Sequence, residues 1–129
     1  MSIDVKEQVD VDTSLAQSGN RTADATGSSS DISEFHAASI LINVNAYTDG
    51  SHEFVVEESD DDSNWSAVAD SDLDGSEPTV DAAGDVGKHR IGYTGTQRYL
   101  RVTTTVSGTT TGADYGAYVL KGDPSQFPV

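Results

Sequence analysis

Cysteine is absent from this chain, methionine and tryptophan occur once each, proline three times, and only 7 basic side chains stand against 22 acidic ones. Without cysteine there is neither a disulfide framework nor a thiolate metal site, so the fold rests on its core alone and no redox compartment is indicated. With so few Lys and Arg the formal net charge is -15. A surface of that sign repels nucleic-acid phosphates and anionic lipid, which excludes both as partners. Long apolar runs are lacking too: no segment approaches the roughly 20 apolar residues of a membrane helix, and MSIDVKEQVDVD at the start has no apolar leader. A soluble chain is expected.

What is present fits one domain, since 129 residues can bury roughly two thirds of the unfolded surface around a single core. Sixteen of the acids are Asp and only three of the bases are Lys. Carboxylate-rich, lysine-poor surfaces stay hydrated in concentrated salt, where screening removes self-repulsion, so the composition reads as a halophile's; an ordinary acidic domain is the alternative. The charge is uneven: residues 1–64 hold 14 acids and 2 bases, residues 65–129 hold 8 and 5.

Residues 1–19 read as an extended N-terminal arm and residues 20–129 as the domain. In the arm, Ile3, Val5, Val9 and Val11 alternate with Asp4, Lys6, Asp10 and Asp12, a pattern for an edge strand on this domain or on a neighbour's. From Phe35 onward the period is two. Ile40, Ile42 and Val44 share one face, with Leu41, Asn43 and Asn45 on the other, and Thr48-Asp49-Gly50 supplies the turn that predicts a hairpin with His52–Glu58. Trp65 and Val68 are expected to anchor a short strand in the core. Lys88–Tyr93, Arg98–Val106 and Ala113–Lys121 read as three further strands, and no stretch of similar length has helical period. The prediction is an all-β chain: a single antiparallel β-sandwich, jelly-roll-like, with the N-terminal arm.

Asp70, Asp72 and Asp74, then Gly75 and Asp81 in twelfth place, have the spacing of a calcium loop, which folds several oxygens around one hard cation. Against it, the flanks are not helical, Pro78 stiffens the ninth place, and the twelfth residue is the shorter Asp. A solvated acidic loop is expected and no cofactor is assigned, calcium remaining the alternative. Catalysis has no motif to support it: His36, His52 and His89 sit on separate predicted strands, and neither a nucleophile elbow nor a phosphate loop occurs. The chain is read as non-enzymatic. Arg90, Tyr93, Arg98, Tyr99 and Arg101 form the one basic and aromatic concentration, a candidate protein interface because Arg and Tyr are enriched there. The other reading is arginines neutralising carboxylates across a sheet.

The segments EFVVEESDDDSNWSAVAD (53–70), HRIGYTGTQRYLRVTTTVSGTTTG (89–112) and YGAYVLKGDP (115–124) resemble, over about Ser33 to Val129, a family of small head-associated structural proteins of tailed bacterial and archaeal viruses. The resemblance implies a decoration or minor capsid role at the capsid surface of the virion, with the major capsid protein and sister subunits as partners, in a trimer or pentamer. Acidity points to a haloarchaeal virus; Ser125 stands where the family more often has a basic residue after the proline. A head-tail connector or tail component is the near alternative. SDDDSNW and the later RYLRV also resemble discoidin or galactose-binding-like jelly rolls, which implies the same fold and, as a third reading, a carbohydrate-binding module using Trp65, Tyr47, Tyr93 and Tyr118.

Overall fold

Alternation of apolar and polar residues, with glycine and aspartate at the breaks, puts most of the chain into strands. A computed structural model describes residues 9–17, 19–33 and 35–124. The strands in chain order are β1 (Val9–Leu15), β2 (Asn20–Arg21), β3 (Ala25–Thr26), β4 (Ser30–Asp31), β5 (Phe35–Tyr47), β6 (Ser51–Ser59), β7 (Ser66–Ala67), β8 (Leu73–Asp74), β9 (Thr79–Val80), β10 (Gly87–Tyr93), β11 (Tyr99–Ser107) and β12 (Ala113–Pro124). They form two antiparallel sheets. One runs β1-β12-β5-β10-β8, with β2 also on β12; the other runs β3-β11-β6-β7, with β4 on β11 and β9 on β6.

Taking β3 with β4 as one strand and β7 with β9 as another, and leaving β2 and β8 as edge additions, eight strands remain. Their spatial order is first, eighth, third, sixth in one sheet and second, seventh, fourth, fifth in the other. This is the order of a jelly roll, and the expected β-sandwich is what forms. Its core is the inner face of both sheets: Ile40, Ile42, Val44, Ile91, Ala117 and Val119 on one side, Phe54, Val56, Leu100 and Val102 on the other. Full burial stabilises each of the larger side chains by roughly 1.5–3 kcal/mol. Tyr115 lies among them, its ring edge-on to Phe54 at 4.8 Å and to His52 at 5.2 Å.

The expected β5–β6 hairpin does not form. β5 pairs with β10 and β12, and β6 pairs with β11, so Thr48-Asp49-Gly50 is an arch that carries the chain from one sheet to the other. The reason is where the turn's polar groups go. The Thr48 and Asp49 N–H groups donate to the Gly112 carbonyl, and the Asp49 carboxylate accepts from the N–H groups of Thr110, Thr111 and Gly112. The turn is thus satisfied by the β11–β12 connection and not by a facing strand.

Within the expected arm, Val9–Leu15 pairs along β12 from Val9↔Gly122 to Leu15↔Ala117. It is an edge strand of this domain, with Ser14 and Leu15 buried; residues 1–8, with Ile3, Asp4, Val5 and Lys6, lie outside the described residues.

Candidate functional site

Strand parity decides where the basic and aromatic residues point. Leu100 and Val102 are buried, so Tyr99 and Arg101 face outward from β11. Arg101 pairs with Glu57 at 2.8 Å and lies over the Trp65 ring, 4.2 Å from its centroid. Arg98, just before β11, pairs with Asp31 at 2.9 Å and covers the Tyr99 ring at 5.1 Å. The Arg98 guanidinium and Ser33 donors hold the Asp31 carboxyl well below the usual carboxylate range. These three residues therefore share the outer face of the β11–β6 sheet, in the cross-strand, charge-neutralised form.

Arg90 and Tyr93 are not with them. Both lie on β10 in the opposite sheet; Arg90 faces solvent on its outer side, while Tyr93 points inward and is only 7% exposed. The Tyr93 hydroxyl donates to Glu58 at 2.8 Å and accepts from the Gln97 N–H at 3.1 Å. Burial and the Glu58 carboxylate push its pKa up to about 12. The five candidate residues are divided between two outer faces and the core.

Trp65 differs from the expectation as well. Val68 is buried at 4% exposure, but Trp65 is half-buried on the outside, shielded by Arg101. The four rings of a sugar platform do not assemble. Tyr118 faces outward from β12, Tyr93 is in the core, Trp65 is on the other outer face, and the Tyr47 hydroxyl shares its one proton between the carbonyls of Gly50 and Asp81.

The acidic loop is split between local structures. Asp70–Asp72 forms a 3-10 turn, Leu73–Asp74 pairs with β10, and Asp81 follows β9, its N–H donating to Asp85. Among the described residues no group of three or more His, Asp or Glu side chains is placed to hold a metal ion. In the Asp60–Asn64 turn it is Asp61 that acts, capping the N–H groups of Ser63 and Asn64.

One constellation was not visible as such in the sequence. His52 is fully buried, with Nδ1 3.0 Å from the Tyr115 hydroxyl and Nε2 3.1 Å from the Asp49 carbonyl. A carbonyl only accepts, so Nε2 carries the proton and Nδ1 receives the Tyr115 O–H. Closed off from solvent, this network locks the β5–β6 arch. A surface depression of about 290 Å³ between Ile32, Phe35, Ala38, Tyr93 and Gln97 has no acid or histidine in its lining, so it holds no nucleophile–base pair.

What stands out is a face. Inward residues of β12 and β10 are buried, so Tyr118, Leu120, Lys88 and Arg90 face outward together, with Leu41 between them on β5. Sequence alternation placed Leu41 on an outward face but gave no sign of its neighbours, which depend on the β5–β12 pairing. Comparison of the chain with protein-family models, with curated proteins and with solved structures finds no match.

Proposed function

We propose that this chain is a non-enzymatic structural protein of a virion, decorating the capsid of a halophilic tailed virus as a turret, spike or minor capsid protein. The observation that carries the reading is the distribution of chemistry over the jelly roll: the buried His52–Tyr115 pair is tied to the β5–β6 arch, and Arg90, Arg98, Tyr99, Arg101, Tyr118 and Leu120 lie on two broad outer faces. A molecule built this way works by protein–protein contact, since faces and not clefts are what stable interfaces use. The acidity of the remaining surface suits brine, and the sequence texture over Ser33–Val129 supports a role in the virion.

The test is the protein composition of purified virions that encode the chain, scaled to the major capsid protein, with electron microscopy of the particles. Copies on the order of tens to hundreds per particle, with density on the head, are expected for a decoration protein on a symmetric lattice. A handful of copies, with density at the neck or tail, moves it to the connector or tail. Absence from the particle overturns the reading.

A further inference from the structure

We propose that the outer face of the β1-β12-β5-β10-β8 sheet is a docking site for a second copy of this chain, which meets it through the carboxylate-rich outer face of the β11–β6 sheet, so that sandwiches stack head to tail. The inference deepens the reading of the chain as an interaction module and names the surface.

Charge carries the argument. Among the described residues Arg98, Arg101 and Lys121 each pair with a carboxylate, and Arg21 donates to backbone carbonyls. Among the described residues the Lys88 and Arg90 side chains alone of the cations have neither an ion pair nor a hydrogen bond, on a chain with 22 acids. Both stand on the same outer face, at alternate positions of β10 opposite Asn43 and Leu41. Among the described residues that face has only Asp74 and Asp114 as carboxylates, which balance Lys88 and Arg90 on a molecule of net charge -15.

The opposite outer face is the complement. Register places Glu53 and Glu57 on it, Asp31 at its edge, and Asp60, Asp61 and Asp62 in the turn after β6. Among the described residues the cations paired with these six carboxylates are Arg98, on Asp31, and Arg101, on Glu57. Unpaired cations on one side and surplus carboxylates on the other direct one copy onto the next and penalise like-on-like pairing of either face.

Shape and apolar area agree. Val11 is 54% exposed and lies directly opposite Leu120, whose β5 partner is Ser39; Tyr118 is flanked by Thr13 and Leu41. Between Leu120 and β5 is a shallow depression of about 230 Å³ lined by Ala37, Ser39, Leu120 and Gly122, small side chains that let a partner approach closely. The four long strands β1, β12, β5 and β10, about 4.8 Å apart and paired over about seven residues, give a footprint of roughly 450 Å² a side. That is the low end for a specific contact, so a weak, concentration-dependent association is expected. A face meeting a different face is heterologous, and such contacts close into rings or continue as filaments.

Sedimentation velocity of the purified full chain over a concentration series, in dilute and in molar KCl, tests this. The sedimentation coefficient is expected to rise with concentration. Lys88→Glu with Arg90→Glu, and separately Leu120→Asp, shift the midpoint to at least about tenfold higher concentration with unchanged circular dichroism. Glu53→Lys with Asp60→Lys weakens association alone, yet associates when mixed with the Lys88/Arg90 charge reversal. A monomer at every concentration to about 1 mM overturns the proposal, as does association that ignores the Lys88, Arg90 and Leu120 changes. The measurement needs no virion: absence from particles with intact stacking removes the virion reading alone, and presence in particles with a strict monomer removes the stacking alone.

Discussion

Lys121 continues the inward row Ala117, Val119 of β12 to the point where the core meets solvent, and it is only 6% exposed. Its Nζ lies 2.9 Å from Asp12 and 3.3 Å from Asp10, donates to the Asp31 carbonyl at 3.3 Å, and sits over the Phe35 ring. Burial works against the ammonium charge, but the Asp12 and Asp10 carboxylates outweigh it and lift the Lys121 pKa above the usual lysine value. Asp12, held first by the Ser30 hydroxyl and then by Lys121, titrates below the usual range. An inward-pointing charge on β12 thus fastens the neighbouring edge strand β1 through Asp10 and Asp12. Lys121→Met keeps the length and removes the donor. Because Asp10 and Asp12 retain contact with water, the loss at pH 7 is about 1–2 kcal/mol, less than for a fully buried pair. Urea denaturation reads it as a lower midpoint. The sign with pH follows from the depressed Asp12: its contribution is full above the ordinary aspartate value of 3.8 and fades as pH falls through the lowered one. The difference between variant and wild type therefore shrinks below that pH and persists at pH 7 to 9.

At the scale of elements, the arches hold the two sheets together. β5 to β6, β10 to β11 and β11 to β12 all cross between sheets, and Asp49 ties the first crossing to the last through three N–H groups at 2.7–3.1 Å. Those donors, Gly112 first, keep the Asp49 carboxyl below its ordinary value. Gly112 itself has φ +89, and a Cβ there would lie 1.9 Å from the Arg21 carbonyl oxygen. Gly112→Ala is expected to destabilise by about 3 kcal/mol or more, because backbone must move. Gly108→Ala, at φ +68 with open space around it, loses about 1 kcal/mol for the left-handed conformation alone. Chemical denaturation of the two variants side by side checks the ranking, and equal losses would refute the close approach. The same arches show what the sequence could convey. β10, β11 and β12 were legible to within a few residues, since one buried and one wet face impose a period of two. Partner choice was not: Asp49-Gly50 suits a hairpin and an arch equally, and the deciding partners, the N–H donors of Thr110, Thr111 and Gly112 and the Gly112 carbonyl, are some sixty residues away. For the candidate site, parity alone separates Arg90 from Tyr93, three residues apart on one strand. Trp65 went astray because its shield, Arg101, comes from a distant strand, and Leu41, Tyr118 and Leu120 become one face only through the β5–β12 register.

For the whole molecule, the balance is between mutual repulsion of a -15 chain and the few attractions that salt can weaken. The ion pairs among the described residues are Arg98–Asp31, Arg101–Glu57 and Lys121 with Asp10 and Asp12. Each partly exposed pair contributes at most about 1 kcal/mol, and screening removes only part of it. Repulsion acts over many more pairs, and at low salt it reaches across the molecule, since the screening length falls from about 30 Å at 0.01 M to about 3 Å at 1 M. Repulsion relieved exceeds attraction lost, so stability rises with salt. The increase from 0.01 M to 1 M KCl is expected to be about 2 kcal/mol, or roughly 5–10 °C in melting temperature for a domain of this length. Thermal melts at one low protein concentration, where stacking is negligible, isolate the effect. Replacing Glu53, Asp60 and Asp62 by their amides should raise the melting temperature at low salt and leave it nearly unchanged at 1 M, because their charges are then already screened. A melting temperature independent of salt would mean that the carboxylates do not oppose the fold, and the composition would then have to be explained by solubility alone.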